Sequence, residues 1–473
     1  MMEISIHIEE IEKNQEETEH SSVLNKERTL EKGFYKNLMA ITIPITIQNI
    51  ISYSVNMMDT LMLGSFGETV LSASSLASQV FYIFSLLISG IGSGSGVLCS
   101  QYYGKRDMKS LRKITAMALK IAIGMGILFV LILLIFPRQI MLLFTSEAGV
   151  VEEGIKYLRV VSFSYIFYSI TTIFLIILRS VKDVKLSIWI YVFSFCTNII
   201  FNYIFIFGHF GIPRLGIVGA AIGTIIARGL EVVLVVLYLK YRESVLRFKV
   251  VMLRYFDATL LKDMIRYGLP VTLGETFWGL GLAVHSSILG HMGEKVVAAN
   301  SICNVLHQFS LSFVQGLGSS SAVIMGGMIG AGLIEKAKEA SKAFVKVYTL
   351  CGFLNTLFML AISKPIFAIY TLQPETLVLA KQFLYTYAFI TFFRSIVSPI
   401  IGGILWGGGD TRFSAFVDIT FLWGLIPIGY LAAFKWNMNP AAVIVVLRLE
   451  TFLKLVACLL RIRGDKWIKN TTR

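Results

Sequence analysis

Two carboxylates stand in stretches otherwise too apolar to hold a charge: Asp59 in Met57-Met58-Asp59-Thr60 and Glu275 in Gly274-Glu275-Thr276. An ionisable group at the centre of a bilayer costs roughly 2.5–3.5 kcal/mol on an insertion scale, so each needs a partner or a task. Neither has a basic residue close by in sequence. The partner must then come from another helix, or the group must take up and release a cation. Asn198 and Asn202 are the expected company of Asp59, because a spacing of four projects both amides from one helix face. An amide offers its carbonyl oxygen to a cation and its NH2 to a carboxylate. One carboxylate with two amides is a hard-oxygen set for Na+, or a hydrogen-bonded carboxyl that binds and gives up H+. The same asparagines serve as interhelical glue just as well, and the sequence leaves both readings open.

Arg394 is a further isolated charge inside an apolar stretch. Arg228 with Glu231, three residues apart, and Glu450 with Lys454, four apart, are expected to neutralise each other on one helix face. Arg448 accompanies the second group. Aromatics crowd two stretches, Phe163 to Tyr168 and Phe383 to Phe393. Some of them, with Trp278 and nearby methionines, are expected to line a pocket for flat organic cations through cation–π and soft apolar contacts. The five cysteines lie scattered in apolar stretches without metal spacing and read as small hydrophobes; the six histidines do not cluster. Gly407-Gly408-Gly409-Asp410 lacks the Lys-Ser/Thr of a nucleotide loop and reads as a turn. With no cofactor motif, no metalloprotease pattern and no nucleophile elbow, enzymatic and ATP-driven readings lose support.

The elements that must position these residues are membrane helices. Mean hydropathy is +0.72, with 55% hydrophobic and 15% charged residues. Apolar runs of about 20 residues, each enough to cross roughly 30 Å of hydrocarbon, recur along the chain. Twelve spans are predicted, at 37–63, 74–99, 114–136, 155–178, 186–208, 216–239, 267–289, 296–326, 342–362, 382–405, 413–434 and 440–461. Basic residues concentrate in alternate connections: Lys105, Arg106, Lys109, Arg112 and Lys113 after the second span, Arg179, Lys182 and Lys185 after the fourth, and seven more from Lys240 to Arg266. By the positive-inside rule that face and both termini are expected in the cytoplasm. The net charge of +14 then reports topology and contact with anionic lipid, and nucleic acid is not an expected partner.

The pattern is written twice. Gly64, Gly67, Glu68 and Ala73 follow Pro44 at the distances at which Gly290, Gly293, Glu294 and Ala299 follow Pro270. Gly90, Gly92 and Gly104 answer Gly316, Gly318 and Gly330 in the same register; Thr145 answers Thr371, and Asp183 answers Asp410 after a slip of one. Six spans per copy is an even number, so the copies form a parallel repeat with a central cavity between the bundles. The expected organisation is a polar tail 1–36, a first lobe 37–240, a cytoplasmic linker 241–266, a second lobe 267–462 and a tail 463–473. The alternating Gly90, Gly92, Gly94 and Gly96 are expected to let helices pack closely.

These residues together resemble the multidrug and toxic compound extrusion (MATE) family. The resemblance spans about 37–462 and rests on Pro44 to Gly67 with Met58-Asp59-Thr60, on Tyr103-Gly104-Lys105-Arg106-Asp107, and on Asn198-Ile199-Ile200-Phe201-Asn202 running into Gly208-His209-Phe210-Gly211-Ile212-Pro213-Arg214-Leu215-Gly216. It implies two six-helix bundles in a V and export of organic compounds driven by Na+ or H+. It maps the family's first-lobe ion site onto Asp59, Asn198 and Asn202, and the helix-7 glutamate onto Glu275. A helix-10 aspartate of the family is missing, since that stretch reads Phe393-Arg394-Ser395. Arg394 is therefore expected to pair with Glu275. The resulting expectation is an exporter of small organic cations in a bacterial inner membrane, working as a monomer. A lipid-linked oligosaccharide flippase is the alternative, which would call for a strongly basic cavity.

Overall fold

The computed structural model describes residues 33–243, 245–369 and 374–472, and these are helical wherever they are regular. Residues 1–32 and Thr371, the repeat partner of Thr145, lie outside the described set. The helices are α1 (Phe34–Gly64), α2 (Glu68–Gly104), α3 (Met108–Ile135), α4a (Ala148–Val161), α4b (Ser164–Ser180), α5 (Lys185–Phe207) and α6 (Ile217–Tyr241). The second half continues with α7 (Ala258–Gly290), α8 (Glu294–Gly330), α9 (Ile334–Ile369), α10 (Pro374–Pro399), α11 (Thr411–Phe434), α12a (Pro440–Arg448) and α12b (Glu450–Arg463).

Helix occupies each of the twelve predicted stretches. Among the described residues, nine helices are individually long and apolar enough to cross a membrane, and the pair α4a and α4b, bent by 52°, makes a tenth as a broken span. The remaining two stretches carry charges, Glu275 on α7 and Arg448, Glu450 and Lys454 on α12a and α12b, and the last is divided into pieces of 9 and 14 residues. The fourth stretch breaks at Ser162–Phe163 and the twelfth at Leu449, with no proline or glycine at either point. The linker is shorter than expected, since α7 begins at Ala258, capped by Asp257, which accepts from the Thr259 and Leu260 amides. Large apolar side chains face outward along α3 and α9, such as Leu128, Leu131, Leu354 and Phe358, as lipid contact requires.

The two halves meet along α2 and α7, with α8 packed on α1 and α2. Small residues make this seam. A Cβ on Gly94 would stand 2.3 Å from the Gly268 Cα, one on Gly90 2.5 Å from the Thr272 Cα, and one on Gly104 2.1 Å from the Gly327 carbonyl oxygen. The glycine run is thus a close-packing surface, as its spacing predicts. All these contacts sit toward the ends that bear the basic connections, so the halves are closed there.

Repeat-related turns share a backbone. Gly67 and Gly293 open α2 and α8 at φ 109° and 127°. Arg106 and Lys182 hold left-handed turns at φ 62° and 66°, where their second-copy counterparts are Gly332 at 78° and Gly409 at 80°. A side chain in that region costs roughly 1–2 kcal/mol, so the first copy is the more strained at both turns.

Beyond α12b the chain folds back onto this face. Trp467 is buried against Gly408, and Asp410, fully buried, is clasped by Arg461 (2.7 Å) and Lys469 (2.5 Å). Gln101 of α2 donates to the Gly407 and Lys469 carbonyls, both at 3.1 Å, and accepts from the Thr471 amide (2.7 Å) and hydroxyl (2.8 Å). The tail therefore ties the first half to the second.

The Lys113–Asp257 pair (2.9 Å) joins α3 to the start of α7 on the same face. The Lys113 ammonium and the cap amides hold the Asp257 carboxyl below its ordinary range. Because the folded value is the lower one, the pair contributes fully above the unfolded value near 4 and its contribution is lost progressively as pH falls from there through the folded value. Asp257→Asn is expected to remove at most ~1 kcal/mol at pH 6 and progressively less as pH falls below about 4, read as melting temperatures in detergent.

Candidate functional site

A cavity of about 1040 Å3 lies between the halves and is lined by α1, α2, α4b to α8 and α10 to α12. Asp59 comes to it from α1 and Asn198 from α5, with Asn202, on the same face of α5, fully buried behind them. The Asn202 amide donates to the Asp59 carboxylate at 2.6 Å and to the Asn198 carbonyl oxygen at 3.2 Å. The expected trio is therefore one connected cluster. Asn202 Oδ1 is buried without a hydrogen-bond partner. The NH2 of that amide faces Asp59 and its oxygen faces α6; an amide oxygen accepts from a proton donor or binds a small cation. The donor set of carboxylate and amide oxygens fits Na+ as cargo.

Gly223 of α6 makes room for this amide, since a Cβ there would stand 2.2 Å from Asn202 Oδ1 and 3.2 Å from its backbone nitrogen. Gly223→Ala is expected to turn the amide away from Asp59 and to destabilise the first half by ~1–2 kcal/mol. A thermal melt against wild type checks it, and Gly229→Ala, whose Cβ would meet only the Phe167 ring edge at 4.0 Å, serves as the tolerated control.

Deeper in the first half, Arg228 pairs with Glu231 at 2.8 Å, as their spacing predicts, and Ser194 donates to the same carboxylate oxygen at 2.6 Å. The guanidinium also lies over the Tyr168 and Phe81 rings, 5.1 and 5.9 Å from their centroids. Tyr165, Tyr168, Trp278 and Tyr387 line the cavity, but Phe383 is in the core and Tyr385, Phe389 and Phe163 face outward. No methionine is among the described lining residues, so the expected methionine contribution is absent there.

In the second half, one expectation is corrected. Glu275 and Arg394 both reach the cavity, but no ion pair joins them; the Arg394 guanidinium instead lies 5.0 Å over Trp278. The ring belongs to the residue one turn from Glu275 on α7, so the guanidinium rests on a cation–π contact with the same helix. The Glu450–Lys454 pair is present at 2.5 Å, and Lys454 also holds Asp418 of α11 at 2.9 Å. Asp418 was open to the reasoning that singled out Asp59, as an acid inside an apolar stretch, and escaped it. His285 is buried with neither ring nitrogen partnered, and His307 faces the Thr391 hydroxyl at 2.9 Å. Both border the cavity; their separation in sequence gives no sign of it.

A duplicated, all-helical membrane protein with a polar cavity between its halves is the architecture of a transporter. The MatE family model matches residues 44–204 and again 270–431, and the chain belongs to that family of membrane transporters. The two matches begin at Pro44 and Pro270, where the repeat read from the sequence begins. The chain is 23% identical over 427 residues to the probable multidrug resistance protein YoeA of Bacillus subtilis, covering 88% of this chain and 90% of that one. With the probable multidrug resistance protein NorM of Listeria monocytogenes it shares 25% over 439 residues, covering 91% and 94%. Its fold matches an outward-facing structure of a multidrug resistance MATE family transporter at a TM-score of 0.80, with 19% identity over 91% of this chain and 96% of that one.

Proposed function

We propose that this protein exports organic compounds, cationic ones among them, in exchange for Na+ or H+ moving inward, by alternating exposure of the central cavity. The observation that carries the reading is the Asp59–Asn202–Asn198 cluster, with its unpartnered Asn202 oxygen, at the edge of a cavity large enough for a drug-sized molecule. The multidrug resistance names of the relatives support the substrate class. In this reading the basic face is cytoplasmic, the halves on either side of the 241–266 connection are the moving lobes, and the protein works as a monomer in the bacterial inner membrane.

Asp59, when ionised, attracts either a substrate cation or the driving ion, and one carboxylate does not neutralise both. Arrival of Na+ or H+ from outside removes the charge that held the substrate, and the substrate leaves. Exchange of one monovalent cation for one H+ moves no net charge, so the electrical term of about 2.3 kcal/mol per charge per 100 mV cancels. The ion gradient then supplies roughly 1.4 kcal/mol per tenfold ratio. Tyr168 and Trp278, where Arg228 and Arg394 now rest, are the rings for which a flat cation would compete.

The flippase alternative finds less support. Arg228, Arg394, Arg448 and Lys454 line the cavity together with Asp59, Glu231, Glu275, Asp418 and Glu450, so it is not the strongly basic chamber a pyrophosphate would need. The test is efflux of a fluorescent organic cation from proteoliposomes under separately imposed Na+ and H+ gradients. Acceleration by one gradient supports the reading; indifference to both removes it.

A further inference from the structure

The basic face holds a second cavity, of about 420 Å3, at the seam between the halves. Three cations from three different connections reach it: Arg106 after α2, Lys182 after α4b and Lys336 at the start of α9. Phe34, Ile324 and Met328 form its apolar wall. No aspartate or glutamate is among the described lining residues, and none of the three cations has an ion-pair partner among the described residues. Unpaired cations of one sign, gathered around an apolar floor, create a field that favours an anion with an apolar body.

Two of the cations sit where the backbone discourages them. Arg106 and Lys182 occupy left-handed turns at φ 62° and 66°, whereas Gly332 and Gly409 make the same turns in the second copy. The first copy thus carries a positive side chain at both turns in place of the residue that suits them, and both side chains point to one cavity. Strain kept at a cluster of like charges marks a binding function.

We propose that this cavity is a site for an anionic phospholipid, with Arg106, Lys182 and Lys336 on the headgroup phosphate and the glycerol and first acyl carbons against Phe34, Ile324 and Met328. The depth fits, since every wall residue lies at or near the basic end of a membrane helix, where the headgroup layer is. Free inorganic phosphate would use the three cations and leave the apolar wall uncovered. Gly104 and Gly327, in backbone contact across the seam, also border the cavity, so both halves are needed to build it.

The test uses the full chain, delipidated in dodecyl maltoside and titrated with phosphatidylglycerol or phosphatidylcholine, with bound lipid counted by native mass spectrometry. Phosphatidylglycerol is expected to bind at least tenfold more tightly. The double variant Arg106→Gly/Lys182→Gly is expected to lose it about 25-fold, roughly fivefold per cation removed, without a lower melting temperature because glycine suits both turns. Lys336→Gln, on the surface of a helix in the other half, is expected to lose it about fivefold and keeps the test open if the glycine variant folds poorly. Equal retention of phosphatidylglycerol by wild type and variants, or no preference over phosphatidylcholine, would overturn the proposal. Displacement of bound phosphatidylglycerol by millimolar inorganic phosphate would overturn the lipid assignment.

Discussion

Asp59→Asn and Asp59→Ala are each expected to reduce gradient-driven efflux by at least two orders of magnitude while leaving the protein folded. The carboxylate is the one charged member of its cluster; its visible bond there is to the Asn202 amide, and no ion pair holds it among the described residues. Asparagine keeps the size and can still accept from Asn202, so folding survives and the loss reads out charge alone. Substrate binding in the absence of a gradient should weaken less than exchange does, because aromatic faces remain. Efflux rates and equilibrium binding of the same fluorescent cation, measured in proteoliposomes, separate the two. Wild-type exchange in both variants would remove Asp59 from the mechanism.

The second large effect concerns stability. Lys454→Met is expected to destabilise the second half by ~3–5 kcal/mol, since it strands Asp418 and Glu450 without their shared cation. Lys454 is only 4% exposed and Glu450 1%, so water does not readily take over the role. The triple replacement Lys454→Met/Asp418→Asn/Glu450→Gln is expected to recover most of the loss, because an apolar or neutral set of the same volume carries no uncompensated charge. Thermal melts in detergent check both. If the single variant melts like wild type, the triad is solvated and its buried geometry is not what holds α11 to α12b.

These outcomes locate what the sequence could say. Helical spacing alone joins Asn198 to Asn202, Arg228 to Glu231 and Glu450 to Lys454, and each pair is found together, because neighbours on a single helix face are fixed by 3.6 residues per turn. The register of the repeat likewise located the glycine seam, since small residues at constant spacing have few uses other than close approach. Between helices, residue chemistry and the family resemblance brought Asp59 to Asn202, but most such contacts were out of reach. Asp418 reaches Lys454 from another helix, and Arg394 finds Trp278 rather than Glu275, choices set by helix rotation that no local spacing encodes. The breaks in the fourth and twelfth stretches were equally silent, having neither proline nor glycine to announce them.

The clasp of Gln101 by the returning tail bears on the proposed cycle. Swinging the basic ends apart would sever four hydrogen bonds made by this single side chain, whereas no comparable knot joins the opposite ends among the described residues. At roughly 0.5–1.5 kcal/mol apiece, such an asymmetry weights the ensemble toward the shape closed on the basic side. If the proposed export cycle and orientation hold, a transporter so biased waits with its chamber turned toward the compartment it empties into, and must be loaded against that preference.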